Sequence, residues 1–167
     1  MIGYALRELA LIRKDKHDLA GAVDAARKAL DAARQRGHGG ALFKRVLGCL
    51  LSDLALAKTS NGATESIPEI MKLTNEAEEL LLTGDASSEL ISPDKPRNET
   101  AKALDQLTRV YQLLGRSNEL IRLGQRTAQS IAKSLDEAER LASGNKEMLK
   151  EVAEDRAKLE AGKLKKN

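Results

Sequence analysis

The chain has 167 residues, 41% hydrophobic and 32% charged, with two Tyr, one Phe and no Trp. That balance suits one globular unit whose core is built from Leu, Ile, Val and Ala, which favours closely packed helices and disfavours sandwiches and barrels. The net charge of +3 is unevenly spread: residues 1–58 carry 11 basic against 6 acidic side chains, 59–89 carry 1 against 7, 90–132 carry 7 against 4, and 133–167 carry 9 against 8. Such asymmetry points to self-association or to charged partners, and opposite signs on adjacent solvated faces are also ordinary.

Helical periodicity starts at the N-terminus. Leu6, Leu9 and Ile12 share one face of a first helix predicted over residues 2–14. Leu19, Ala22, Val23, Ala26, Ala29, Leu30 and Ala33 share a face of a second over 19–36, with Asp18 as its N-cap. No capping residue stands before the first helix, and with an apolar face beginning at Ile2 this suggests a chain cut from a longer protein. The glycines of RGHGG, residues 36–40, end the second helix, and a third over 41–58 presents Phe43, Val46, Leu47, Leu50, Leu51 and Leu54.

Polar residues 59–64 break that helix, and Ser66 with Glu69 reads as a capping box that opens a fourth over 67–82. Residues 83–98, with two prolines, read as an insertion. Asn98 is the expected cap of a fifth helix over 99–114, which buries Leu104, Leu107, Val110, Tyr111 and Leu114, and Gly115 closes it. A sixth helix begins near Ser117 and runs to 142, with Leu120, Ile121, Gly124, Ala128, Ile131, Leu135, Ala138 and Leu141 towards the core. Ser143, Gly144 and Asn145 precede a last helix over 146–162, whose packed edge is Met148, Leu149, Val152 and Leu159.

Three helix pairs, 2–36, 41–82 and 99–142, thus follow one another, with a terminal helix over 145–162. Pairs recurring at about 34 residues are the mark of tetratricopeptide arrays. Leu9, Ala10, Ala22, Ala26 and Ala29 in the first pair, Leu47, Gly48 and Ala77 in the second, and Leu107, Tyr111, Gly115, Leu120 and Gly124 in the third resemble that family's large and small positions. His17 stands where the family prefers a turn glycine, and Arg13 where it prefers an aromatic. The spacing also departs from the pattern, with 38 residues from Leu9 to Leu47 and 60 from Leu47 to Leu107. The resemblance covers residues 3–132 and implies an all-α fold of antiparallel hairpins stacked as a short right-handed superhelix, the last helix acting as a cap.

For function, the resemblance implies a noncatalytic protein-interaction scaffold, a module of a larger regulatory or signalling protein. Alanine- and arginine-rich usage hints at a bacterial source. The family's groove positions fall on Arg7, Leu11 and Lys14, on Arg45 and Cys49, and on Lys102 and Arg109, giving a basic groove for an acidic peptide or a C-terminal carboxylate. The family's carboxylate clamp uses asparagine where Leu11, Cys49 and Arg109 stand here.

The alternative is a nucleic-acid-binding helical repeat, which the scarcity of aromatic residues for base stacking opposes. No constellation for catalysis is present. His17 and His38 lie outside any metal-binding spacing and read as exposed turn residues, and no cofactor is expected. Cys49 has no histidine nearby to activate it and reads as a partly buried small apolar residue. The carboxylates Glu65, Glu69, Glu76, Glu78 and Glu79 read as a solvated acidic face. The longest apolar run, residues 46–51, is far short of the roughly 20 residues that cross a bilayer. Arg7 and Glu8 fall where an export signal needs its apolar centre, so a cytoplasmic chain without membrane attachment is expected, with homo-oligomerisation open.

Overall fold

The computed structural model describes residues 1–37, 40–61, 67–83 and 99–164. Among them are seven helices and no strand: α1 (Ile2–Asp15), α2 (Leu19–Gln35), α3 (Ala41–Ser60), α4 (Ile67–Thr83), α5 (Glu99–Leu113), α6 (Ser117–Leu141) and α7 (Lys146–Leu164). The predicted caps Ser66 and Asn98, the loop residue His38 and nearly all of the insertion over 83–98 lie outside the described residues.

The first pair is closed by a tight turn. His17 takes a left-handed backbone (φ 63°) and donates its N–H to the Lys14 carbonyl at 2.8 Å, while Asp18 N–H reaches the Arg13 carbonyl at 2.9 Å. Asp18 then caps α2 by accepting the Gly21 N–H at 2.9 Å, satisfying a donor that the first turn of a helix leaves open. Arg13, in the place of an aromatic residue, closes the turn from outside by donating to the Gly21 carbonyl at 3.1 Å.

Alanine sets the distance between α1 and α2. Ala10 of α1 and Ala22, Ala25, Ala26, Ala29 and Ala33 of α2 are all buried, which suits the close packing of α1 on α2 and of α2 on α3. Leu9 and Ile12 are not part of this seam. They remain 39% and 50% exposed, because the helix turns by about 100° per residue and the seam is centred on Ala10.

The second pair makes the same kind of close crossing with a glycine. A Cβ on Gly48 of α3 would stand 2.8 Å from Leu81 Cγ of α4, with the Ala77 carbonyl 3.5 Å away. Helix α3 is the hub of the fold and packs on α2, α4 and α5. Leu47, Leu50, Leu51 and Ala55 are fully buried among Ile70, Ala77 and Leu81 of α4 and Ala103, Leu107 and Val110 of α5, in one apolar core. Phe43 extends this core to α1, its ring meeting Tyr4 edge-on with centroids 5.4 Å apart.

The third pair differs. Helix α6 packs only lightly on α5 and α4, and Gly124, expected at a close crossing, has open space where its Cβ would be. Ile121 and Leu141, expected in the core, are 60% and 68% exposed. The distal half of α6 instead pairs with α7, burying Leu135, Ala142 and Val152 apart from the main core. Helix α7 therefore covers the end of α6 and not the open side of the α5–α6 pair, where a cap was expected. A charged clasp completes this hairpin: Arg156 bridges Asp136 at 2.9 Å and Glu139 at 2.8 Å.

Candidate functional site

Helices α1, α3 and α5 each send one stripe of side chains, spaced by three or four residues, into a shared hollow of about 170 Å³. Leu11 and Lys14 come from α1, Val46, Cys49, Leu50 and Asp53 from α3, and Glu99, Lys102, Ala103 and Gln106 from α5. The floor is aliphatic. Its walls are polar and hydrogen-bonded in series across all three helices. Lys14 Nζ lies 2.9 Å from Asp53 Oδ2, Gln106 Nε2 donates to Asp53 Oδ1 at 2.9 Å, and Ser52 Oγ donates to Gln106 Oε1 at 2.6 Å. The fully buried Ser52 hydroxyl thus has a partner, as a desolvated polar group requires.

Electrostatics within the hollow are settled by these pairs. The hydrogen bond to Asp53 holds the Lys14 ammonium above its ordinary pKa. Burial, assisted by Glu99 and Asp53, pushes the Cys49 thiol up to about 12. Its Sγ donates weakly to the Glu99 carbonyl oxygen at 3.6 Å. At neutral pH Cys49 is therefore a protonated thiol.

Of the seven residues singled out from sequence, Leu11, Lys14, Cys49 and Lys102 line the hollow. Arg45 stands just outside, its Nε 4.0 Å from Glu99 Oε2. Arg7 pairs with Glu8 and lies over the Tyr4 ring at 5.7 Å from its centroid. Arg109 is exposed on α5, one turn beyond Gln106.

Sequence reasoning missed Asp53, Glu99, Gln106 and Ser52. Asp53 follows Cys49 by one helical turn, and Glu99 and Gln106 flank Lys102 by one turn each, so extending the same stripes would have found three of them. Their presence changes the charge of the wall. Lys14 and Lys102 face Asp53 and Glu99, so the hollow itself is balanced, and the surplus of positive charge comes from Arg7, Arg45 and Arg109 outside it.

The acidic face reads differently in three dimensions. Glu69 pairs with Lys58 at 3.1 Å, Glu76 with Arg27 at 2.6 Å and Glu79 with Arg126 at 2.8 Å, while Glu65 lies outside the described residues. Glu78 is not solvated at all: it is fully buried under α6. A second and more open hollow of about 370 Å³ lies along α7, between Glu139 of α6 and Val152, Arg156 and Glu160. Among the described residues there is no group of three or more side chains placed to hold a metal, and no helix is long and apolar enough to cross a membrane. No protein-family model matches the chain, no curated protein is detectably similar to it, and no solved structure matches it.

Proposed function

We propose that the chain is a noncatalytic protein-interaction module of tetratricopeptide type, with α1–α2, α3–α4 and α5–α6 as its stacked hairpins. It takes an extended acidic peptide along the row formed by α1, α3 and α5. The observation that carries this reading is the single hollow to which the first helix of each pair contributes one side-chain stripe. An aliphatic floor accepts an apolar side chain, and the cations along the row, Lys102 and Arg109 foremost, meet carboxylates on either side of it. Lys102 and Arg109 make no ion pair among the described residues, so a ligand carboxylate does not have to displace an existing partner there. Lys14 is committed to Asp53, and its part is to hold the wall together.

Fluorescence anisotropy with labelled peptides rich in aspartate and glutamate tests this reading. Binding should weaken by about tenfold or more in the Lys102→Ala, Arg109→Ala double variant, in line with loss of one or two charge-assisted hydrogen bonds. Unchanged affinity in that variant, or in Arg7→Ala combined with Arg109→Ala, removes the groove from the proposal. Failure of every acidic peptide to bind the unmodified chain removes the ligand class.

A further inference from the structure

Glu78 is the one charged side chain with no exposed surface among the described residues. It projects from α4, and every donor it meets comes from α5 or α6. Its Oε1 accepts Arg126 Nη1 at 2.8 Å, and its Oε2 accepts Arg122 Nη2 at 3.2 Å and the Tyr111 hydroxyl at 3.1 Å. The two arginines stand one turn apart on α6 and reach further along α4, Arg126 to Glu79 at 2.8 Å and Arg122 to Asn75 at 3.2 Å.

Apolar attachment of α6 to the earlier helices is slight by comparison. Leu123 is the one apolar side chain in the first half of α6 that is fully buried, Leu120 is partly so, and Gly124 faces open space. Helix α7 is held by α6. The connection back to α5 is a three-residue turn whose Gly115 has a left-handed backbone (φ 66°).

From these observations we infer that α6 and α7 form an arm that opens as a unit, and that the Glu78 carboxylate is its latch. The device is all-or-none. A half-withdrawn arm would leave a desolvated carboxylate without its guanidinium partners, the costliest arrangement such a cluster can adopt, whereas full opening returns all the charges to water. Opening pivots at Gly115 and uncovers Glu78 and the Tyr111 hydroxyl at the junction of α4 and α5, while the core around α3 stays packed.

Native-state hydrogen exchange on the whole chain tests this, because it resolves local openings from global unfolding. In the unmodified protein, amides of α6 and α7 should exchange together and faster than those of α2 and α3. Glu78→Gln should accelerate exchange in α6 and α7 by about a hundredfold, the scale of breaking a buried pair, and leave α2 and α3 nearly unchanged. Arg126→Gln, on the half-exposed side of the cluster, should give the same pattern should Glu78→Gln fail to fold. Glu76→Gln, about half a turn away on α4 and paired with Arg27, should leave α6 as it was. Equal protection of α6 and α3 in the unmodified protein overturns the inference. So does a uniform acceleration of all helices in both latch variants, or an equal response of α6 to Glu76→Gln.

Discussion

Small residues at helix crossings carry more of this structure than their size suggests, and Gly48 is the sharpest case. Its hydrogen faces Leu81 where a methyl group would stand 2.8 Å from Cγ. Gly48→Ala should therefore destabilise the protein by about 1 to 3 kcal/mol, against the usual gain from placing alanine in a helix, because the buried Leu81 side chain would have to shift. Urea unfolding measures the sign directly. Cys49 offers a second test at this scale. With its pKa raised from 9.0 to about 12, its thiolate fraction near neutrality is roughly a thousandfold below that of an unperturbed thiol. Labelling by a thiol reagent at pH 8 should be slower than in urea by a comparable factor, and equal rates would show that the thiol is not shielded.

The helices are not equally secured as elements. The first pair is held by an alanine seam and by a turn with four named hydrogen bonds, yet that turn contains a non-glycine residue, His17, at φ 63°. A left-handed conformation costs a side-chain-bearing residue about 1 kcal/mol that glycine avoids, so His17→Gly should stabilise the protein by about that amount, read as a higher urea midpoint at constant slope. The third pair lacks any such seam. Its counterpart residues, Gly115 and Gly124, keep the turn but not the close crossing, because α6 leans on α4 through charges and on α7 through Leu135. An amphipathic pattern shows that a helix has an apolar face, and the third pair shows that it does not say which neighbour will cover it.

Across the whole molecule, buried or bonded ionisable groups tie together helices distant in sequence, and this gives stability an alkaline limit. Burial raises the Tyr111 phenol above its ordinary 10.0, with the Glu78 carboxylate adding to the effect, and the hydrogen bond to Asp53 raises Lys14 above its ordinary 10.5. Both groups are protonated in the folded state at pH values where the unfolded chain has begun to lose their protons. Their contribution is therefore complete below about pH 9.5 and is lost as pH rises through the raised values. Thermal midpoints should be flat from pH 7 to about 9.5 and fall beyond, and Tyr111→Phe should lessen the steepness of that fall. A fall as steep in Tyr111→Phe as in the unmodified chain would clear Tyr111 of any part in it.

What the sequence determined by itself was local. Each helix of the structure begins and ends within two residues of where periodicity and turn chemistry place it, because 3.6-residue spacing, Asp18 at a cap and glycine at a helix end act within a few residues of chain. Leu11, Lys14, Cys49 and Lys102 line one hollow, but their meeting there, from three helices, belongs to the packing. What only the tertiary structure decided was which charges meet. Asp53 under Lys14, Glu99 beside Arg45 and Glu78 beneath Arg122 and Arg126 join residues 39 to 54 positions apart. A glutamate in an acidic helical run carries no mark of its partner; it is buried here because another helix lays two guanidinium groups across it, and long-range packing alone makes that choice.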